Sequence, residues 1–200
     1  MHRSGRPWTV WRVALAVVSV ALIASGCAAQ AANSSPSGAA GRGFAWLRPG
    51  PAPAGWAAAR IRTGAVMRYP SGWRHIAGDA GTATAVLQNG DHDFLGYLNL
   101  TPRQGDESLG NWASFRLGHN AQEGDRGVTR LASATGLRFL SGHGSCVRDA
   151  YTTTTGAHFI ELACLIRGPR TSSVIVGAGP PRTWAEMAPL IERSISALTT

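Results

Sequence analysis

The arrangement of apolar residues after residue 58 is typical of a β-rich domain. Short apolar runs containing strand-forming residues are separated by turn residues, including Pro70-Ser71-Gly72 and the strong hairpin signal Asn89-Gly90. This pattern predicts many short strands that follow one another closely along the chain. The predicted strands cover residues 59–61, 65–69, 73–76, 82–88, 94–101, 128–132, 137–140 and 172–176, with a further hairpin over about 146–166.

Two other stretches have helical periodicity. The first predicts a helix over about residues 107–122, with Asp106 as a plausible N-cap and His119 on the apolar side. On that side a histidine is more often a hydrogen-bonded core residue than a general base. The second follows Pro180-Pro181 and predicts a closing helix over about 183–198. Its apolar face consists of Trp184, Met187, Leu190, Ile191, Ile195 and Leu198.

The N-terminus has the pattern of an export signal. Residues 1–12 contain three arginines and no acid, and residues 13–23 are apolar. The apolar run is only about one third to one half as long as a membrane-spanning helix, which favours a signal peptide. Leu22-Ile23-Ala24-Ser25-Gly26-Cys27 resembles the lipobox of bacterial lipoproteins, although Ala24 stands where that family most often has Leu. The resemblance implies cleavage before Cys27 and acylation of its thiol, so that Cys27 is the lipid attachment site.

These features and the amino-acid composition divide the chain into three segments. Residues 1–26 are the predicted lipoprotein signal peptide. Residues 27–43 contain almost no large apolar side chain, so they cannot offset the entropy of ordering, and they are predicted to form a flexible tether. Residues 44–200 are predicted to form one globular domain. A domain of this size buries about 68–70% of its unfolded surface, which is enough for a core.

The two cysteines that remain after Cys27 can be placed by the register of the hairpin. A three-residue loop over residues 154–156, with Gly156 at the position of positive φ, pairs Thr153 with Ala157. That register sets Cys146 directly opposite Cys164, with Cβ atoms about 4.5–5.5 Å apart. In an exported protein the pair predicts a disulfide. The alternative is two separate buried thiols; a redox or metal role is weaker, because neither cysteine has a Cys-x-x-Cys partner or a ligand-spaced histidine.

Positive charge is concentrated near the predicted tether. All basic residues are arginine, and after loss of residues 1–26 the chain keeps 16 of them with 11 acids, a formal net charge of +5. No acid occurs between Cys27 and Asp79. This segment is either a surface that contacts anionic lipid headgroups, at about 1 kcal/mol per arginine, or a solvated edge of a basic protein. Its arginines are Arg42, Arg48, Arg60, Arg62, Arg68 and Arg74.

An aromatic and proline-rich segment precedes the first predicted strand. Phe44, Trp46 and Leu47 stand before the prolines of residues 49–53, and Trp56 follows them. One interpretation is a proline-rich ligand for a partner's aromatic groove. The segment has no repeated Pro-x-x-Pro pattern, however, which favours an N-terminal arm laid across the domain with its Trp residues buried.

Few residues suggest catalysis or metal binding. Asp91-His92-Asp93 has the residue types of a metal site, but it adjoins a turn, and neighbours on a strand point to opposite faces, so a solvated turn is the better interpretation. Residues 142–146, around Ser145, superficially resemble a nucleophile elbow, but Cys146 replaces its second glycine and a strand follows instead of a helix. There is no phosphate-binding glycine loop and no nucleic-acid platform. We therefore predict no catalytic residue, no metal and no cofactor.

The segment Ala65-Val66-Met67-Arg68-Tyr69-Pro70-Ser71-Gly72-Trp73 resembles the opening of PsbP-like domains, in which a strand, Tyr-Pro, a turn and Trp succeed one another. The later order of elements is also similar. The resemblance covers about residues 44–200 and implies an α+β fold, an α/β/α sandwich with a central, mainly antiparallel sheet and a C-terminal amphipathic helix. It also implies a non-catalytic binding or assembly module, although no functional residue of the family can be matched to this chain.

These observations lead to one main expectation and two rivals. The main expectation is a monomeric, lipid-anchored, non-enzymatic binding or assembly module at the outer face of a bacterial cell membrane. Its partners would be the membrane, through lipid on Cys27, and an unknown envelope protein or small ligand, but not nucleic acid. The first rival is an envelope hydrolase that combines Ser145 with a distant histidine. The second is a small-molecule carrier, which should contain a large apolar cavity between sheet and helix.

Overall fold

A computed structural model describes residues 43–200 of the chain. The predictions for the signal peptide, the tether up to residue 42 and the lipid attachment at Cys27 lie outside the described residues. The elements are β1 (Ala57–Arg60), β2 (Val66–Tyr69), β3 (Arg74–Ile76), β4 (Ala83–Gln88), β5 (Phe94–Pro102), α1 (Trp112–Gln122), β6 (Arg126–Phe139), β7 (Gly142–Thr152), β8 (His158–Arg167), β9 (Ser172–Gly179) and α2 (Trp184–Ser196). Neither helix of this described part is long and apolar enough to cross a membrane.

The predicted α+β sandwich is confirmed. Seven antiparallel strands form one sheet in the order β3-β4-β5-β9-β8-β7-β6, and β1 and β2 form a separate two-stranded sheet. Alternate residues of the strands face α2 on one side, where Leu98, Leu162 and Ile175 are fully buried. The other side carries a smaller cluster in which Trp112 of α1 packs on Ala163 and neighbouring residues. The sheet is therefore covered by one helix on each face.

The hairpin of β7 and β8 has the predicted register. The Thr153 N–H donates to the Ala157 carbonyl at 2.8 Å, and Gly156 has a φ of 88°. Cys146 is paired with Cys164, and the two form a disulfide with their Cα atoms 4.1 Å apart. The disulfide links the two strands on the face that α2 covers.

The helix prediction for residues 107–122 was wrong at its start. Helix α1 begins at Trp112, with Asn111 and not Asp106 at the N-cap position. The preceding residues are held in a loop, because the buried Glu107 carboxylate accepts the N–H groups of Gln104 and Gly105, each at 2.7 Å. Helix α2 ends at Ser196, two residues before the predicted end.

The two strands predicted over 128–132 and 137–140 are one long edge strand, β6. Its pairing with β7 is interrupted by three irregularities, and its glycines Gly127 and Gly136 adopt positive φ values of 62° and 68°. Each bulge shifts the alternation of inward and outward residues, so a continuous strand has no continuous period of two in its sequence.

The N-terminal arm is packed on the domain, as predicted, but Trp46 and Trp56 are only partly buried. Phe44 and Leu47 are buried in the main core, and Trp46 packs against it. The N–H groups of Arg48 and Gly50 donate to the hydroxyl and the carbonyl of Ser196 at 3.3 and 3.4 Å. The arm is thereby tied to the C-terminal end of α2.

Candidate ligand-binding cleft

A cleft of about 450 Å³ opens on the face of the sheet that α1 only partly covers. Helix α1 packs over β6, β7 and β8, and the cleft lies beside the helix, over β5, β9 and the loop before β4. The helix is fixed by Trp112, whose indole N–H donates to the Ala163 carbonyl at 3.0 Å. The cleft is lined by Asp79, Thr82, Phe94, Tyr97, Asn99, Thr101, Gln104, Arg116, His119, Glu123, Tyr151, Thr153, Phe159, Glu161, Val174, Val176 and Ala178.

The wall beneath α1 carries a buried ion pair. Arg116 donates from Nε and Nη2 to the two carboxylate oxygens of Glu161, at 2.6 and 2.8 Å. The Glu161 side chain is 1% exposed. Burial alone would lower the pKa of Arg116, but the adjacent Glu161 carboxylate raises it above its ordinary value. The bidentate geometry holds both side chains in place, and each largely neutralises the other's charge.

Asp149 lies behind this pair, and its carboxyl group has a pKa far above its ordinary value. It is directly opposite Glu161 in the β7–β8 register and is fully buried. Its Oδ2 accepts a bond from Asn120 Nδ2 at 3.3 Å, whereas Oδ1 has no hydrogen-bond partner among the described residues. Burial, followed by the negative charge of Glu161, raises the pKa of Asp149 to about 8. Arg116 bonds to Glu161 and not to Asp149, so Asp149 has no cation bonded to it that would offset these two effects.

Two pairs of aromatic rings line the cleft. Phe94 and Tyr97 on β5 meet edge to face with their centroids 6.5 Å apart. Tyr151 and Phe159, on β7 and β8, lie 6.1 Å apart. Burial raises the pKa of both tyrosines, so both hydroxyl groups are neutral. Tyr151 also donates to Glu161 at 3.4 Å.

The prediction of a core position for His119 was wrong. Its side chain is 42% exposed at the rim of the cleft, 3.1 Å from the Glu123 carboxylate. The same ring stacks on Phe115 at a centroid distance of 6.2 Å. His119 lies at the edge of the apolar stripe of α1, on the side that borders the open cleft, and it therefore reaches solvent.

The other sequence-predicted candidates lie elsewhere. Ser145 is buried on the sheet face under α1 and donates to the Leu109 carbonyl at 2.6 Å, so its hydroxyl helps to hold the loop before α1 and is not paired with an imidazole. Asp91-His92-Asp93 is an exposed turn, as predicted, in which Asn89 Oδ1 accepts the N–H groups of Asp91 and Asp93. The Cys146–Cys164 disulfide lies on the opposite face of the sheet.

The lining of the cleft is mixed in chemical character. Among residues 43–200 no group of three His, Cys, Asp or Glu side chains is placed to hold a metal ion. Most lining side chains are polar, and the space is open to solvent, which differs from the large apolar cavity expected of a small-molecule carrier. The volume is in the range of small-molecule sites, and the lining contains aromatic rings and hydrogen-bonding groups, but it is more polar than the lining of most such sites.

The residues of the cleft were not identified from the sequence, although one signal was present. The register that pairs the two cysteines also pairs Asp149 with Glu161, and both are odd-numbered residues on the opposite face. Two acids opposed within otherwise apolar strands predict a buried polar cluster. Arg116 follows Trp112 by one helical turn, which would have supplied the counter-charge.

Comparison with known proteins defines the fold. No family model and no curated protein matches the sequence. Cyanobacterial PsbP from Synechocystis is similar in structure, with a TM-score of 0.51 and 12% identity over 76% of this chain and 96% of that one. The chain has a PsbP-like fold. This agrees with the resemblance drawn from residues 65–73.

Two other solved structures are less similar. Protein PA94 from Pseudomonas aeruginosa has a TM-score of 0.49 and 12% identity, covering 72% of this chain and 96% of that one. LpqN, involved in cell envelope biogenesis of Mycobacterium tuberculosis, has a TM-score of 0.45 and 11% identity, covering 68% and 82%. The PsbP-like fold does not by itself define a function. The function is therefore argued from the cleft and the surface.

Proposed function

We propose that this protein is a non-enzymatic binding module, held at the extracytoplasmic face of a bacterial cell membrane by lipid on Cys27, whose cleft takes a small ligand. The observation that carries the binding role is the cleft itself, with the buried Arg116–Glu161 pair in its wall. A buried, bidentate pair keeps its geometry without a ligand, so hydrogen-bonding groups in the cleft are held in position before binding.

The distribution of charge supports a membrane-facing orientation. One end of the sheet contains the β6–β7 and β8–β9 turns and the C-terminus, where Thr200 bonds to Ser141. Within residues 43–200 the exposed arginines of this basic end make no ion pair, and exposed Leu140 lies among them. The arginines of the basic end are Arg60, Arg62, Arg103, Arg138, Arg167 and Arg170.

The path of the chain favours the same end. The arm that follows the predicted tether is bonded to Ser196, close to the C-terminus and thus to the basic end. The 16 residues from Cys27 to Arg42 span at most about 55 Å. A tether of that length lets the basic end reach anionic headgroups, whose attraction for its arginines would orient the domain so that the cleft opens sideways from the membrane.

The anchor is tested by fractionating cells that produce the wild type or Cys27→Ser. We expect the wild type in the membrane fraction and the variant in the soluble fraction, with circular dichroism spectra that show the same folded domain in both. A variant that stays in the membrane fraction would contradict anchoring through Cys27.

The orientation is tested with vesicles of phosphatidylglycerol and phosphatidylcholine, using the mature chain with Cys27→Ser. Arg167→Gln with Arg170→Gln should weaken binding to anionic vesicles by about tenfold or more at low salt. The matched control is Arg126→Gln with Arg182→Gln at the other end of the sheet, which should leave binding unchanged. Equal effects of the two pairs would contradict the orientation.

The ligand site is tested by two-dimensional NMR of the same mature chain titrated with a small-molecule extract of the cell envelope. We expect resonance shifts to concentrate at Tyr97, Thr101 and Tyr151. An extract that shifts no cleft resonance, or shifts only loops outside the cleft, would contradict the binding role.

A further inference from the structure

We infer that the cleft binds an organic cation, an ammonium group seated among the rings of Phe94, Tyr97, Tyr151 and Phe159. This inference rests on the proposed binding role of the cleft and names the chemical class of its ligand. It is carried by two independent features of the lining, the balance of charge and the aromatic rings.

The first feature is that the cleft is negative in a positive protein. Its acidic lining residues are Asp79, Glu123 and Glu161, and its one arginine among the described residues is Arg116. Arg116 is already bonded through two nitrogens to Glu161, which leaves Asp79 and Glu123 as the charges available to a ligand. His119 offsets Glu123 only when its imidazole is protonated. An anion would meet uncompensated carboxylates here, whereas a cation would meet complementary charge.

The second feature is the set of aromatic rings. Four lining rings belong to two pairs with centroid separations of 6.5 and 6.1 Å. A cation is attracted to the face of such a ring when it lies within about 6 Å of the centroid, and cages of this kind recognise quaternary ammonium groups. Phe94 is 39% exposed, an unusual position for a large apolar side chain and one that presents its ring to the open cleft.

A neutral, hydroxylated ligand could also donate hydrogen bonds to Asp79 and Glu123, but only a cation gains both the charge attraction of these carboxylates and the attraction of the ring faces. The amide of Asn99 already donates to Thr84 Oγ1 at 2.8 Å, which removes one of its donors from the cleft. The observations therefore favour a cation over a neutral ligand, and a pair of probes of one shape separates the two cases.

The probes are choline and 3,3-dimethylbutan-1-ol, in which a carbon replaces the ammonium nitrogen. Binding of each to the mature chain with Cys27→Ser is measured by NMR titration and calorimetry. We expect choline to bind about tenfold more tightly than its neutral counterpart, with shifts at Tyr97 and Tyr151. Equal affinity for the two probes, or no binding of choline, would overturn the inference.

Two variants locate the interaction. Asp79→Asn should weaken choline binding about three- to tenfold and leave 3,3-dimethylbutan-1-ol unaffected, and Phe94→Leu should weaken choline about two- to fivefold. The matched control is Asp91→Asn, the same change on an exposed turn outside the cleft, which should alter neither probe. Choline binding that both cleft variants leave unchanged would place the cation elsewhere and overturn the inference.

The experiments distinguish an error in the ligand class from an error in the proposed function. If choline does not bind but the envelope extract still shifts the cleft resonances, the cation inference is wrong and the proposed binding role is supported. If neither shifts the cleft, both fall.

Discussion

Replacement of Asp149 by asparagine should abolish most of the pH dependence of stability between pH 5 and 8. The pKa of Asp149 is about 8 in the folded protein and 3.8 as its ordinary value. Between these values the folded state holds one proton more than the unfolded state. The contribution of Asp149 to the free energy of unfolding is therefore fully present below about pH 4, decreases as the pH rises, and is lost once the pH has passed about 8.

The size of the effect follows from this difference in bound protons. One proton changes the free energy of unfolding by about 1.4 kcal/mol per pH unit, so about 4 kcal/mol is lost between pH 5 and pH 8. That is a large part of the roughly 5–15 kcal/mol that stabilises a typical domain. The asparagine side chain would keep nearly the shape of the protonated carboxyl group and could not ionise beside Glu161.

The assay is urea unfolding of the oxidised protein followed by tryptophan fluorescence, at each pH from 5 to 9. The urea midpoint of the wild type should fall by about 2 M across this range, and that of Asp149→Asn should stay nearly constant. Other groups that titrate are common to both proteins and cancel in the difference. Asp91→Asn, an exposed control, should follow the wild type. Parallel curves for the wild type and Asp149→Asn would show that Asp149 is ionised in the folded protein and would refute the reasoning.

Two further predictions concern the other face of the sheet. Replacing both Cys146 and Cys164 by Ser should lower the free energy of unfolding by about 3 kcal/mol, measured by urea unfolding, because the disulfide closes a loop between residues 18 positions apart; an unchanged midpoint would contradict this. Gly177→Ala should destabilise by about 1–3 kcal/mol, since its Cβ would press on Ile191 Cγ2. The control is Gly118→Ala at an exposed position of α1, where no atom lies within 4 Å of the added Cβ, and this change should stabilise the protein slightly. Equal losses of stability in the two variants would refute the packing argument.

The β-rich part of the fold was predictable where local chemistry sets the register. Gly156 supplies the positive φ of a three-residue loop, and this loop fixes every pair of the β7–β8 hairpin, including Cys146 with Cys164. The segment from Ala65 to Trp73 then led to the PsbP-like fold. In both cases a few adjacent residues determine the structure, so the sequence alone is informative.

The errors in the sequence-based predictions have two causes. Some depend on contacts between residues that are distant in the sequence, and others on neighbouring side chains that compete for the same backbone groups. Asp106 has the chemistry of an N-cap, but the Glu107 carboxylate binds the backbone of Gln104 and Gly105, which delays α1 until Trp112. The bulges in β6 interrupt the alternation of inward and outward residues, so its sequence pattern predicts two strands where the structure has one. The cleft depends on how far α1 covers the sheet, and helical periodicity does not contain that information. His119 shows the consequence, since the same residue is buried or exposed according to where the helix lies.

The central claim is that the cleft holds a small ligand while the protein is on its membrane. The most direct test replaces Phe94, at the mouth of the cleft, by the photoreactive benzoylphenylalanine in the full-length protein. Cells are irradiated intact, and the protein is purified and examined by mass spectrometry. Leu131, 52% exposed on edge strand β6, is the control position. We predict a discrete small-molecule adduct at position 94 and none at position 131. No adduct at position 94, or the same adducts at both positions, would contradict the account.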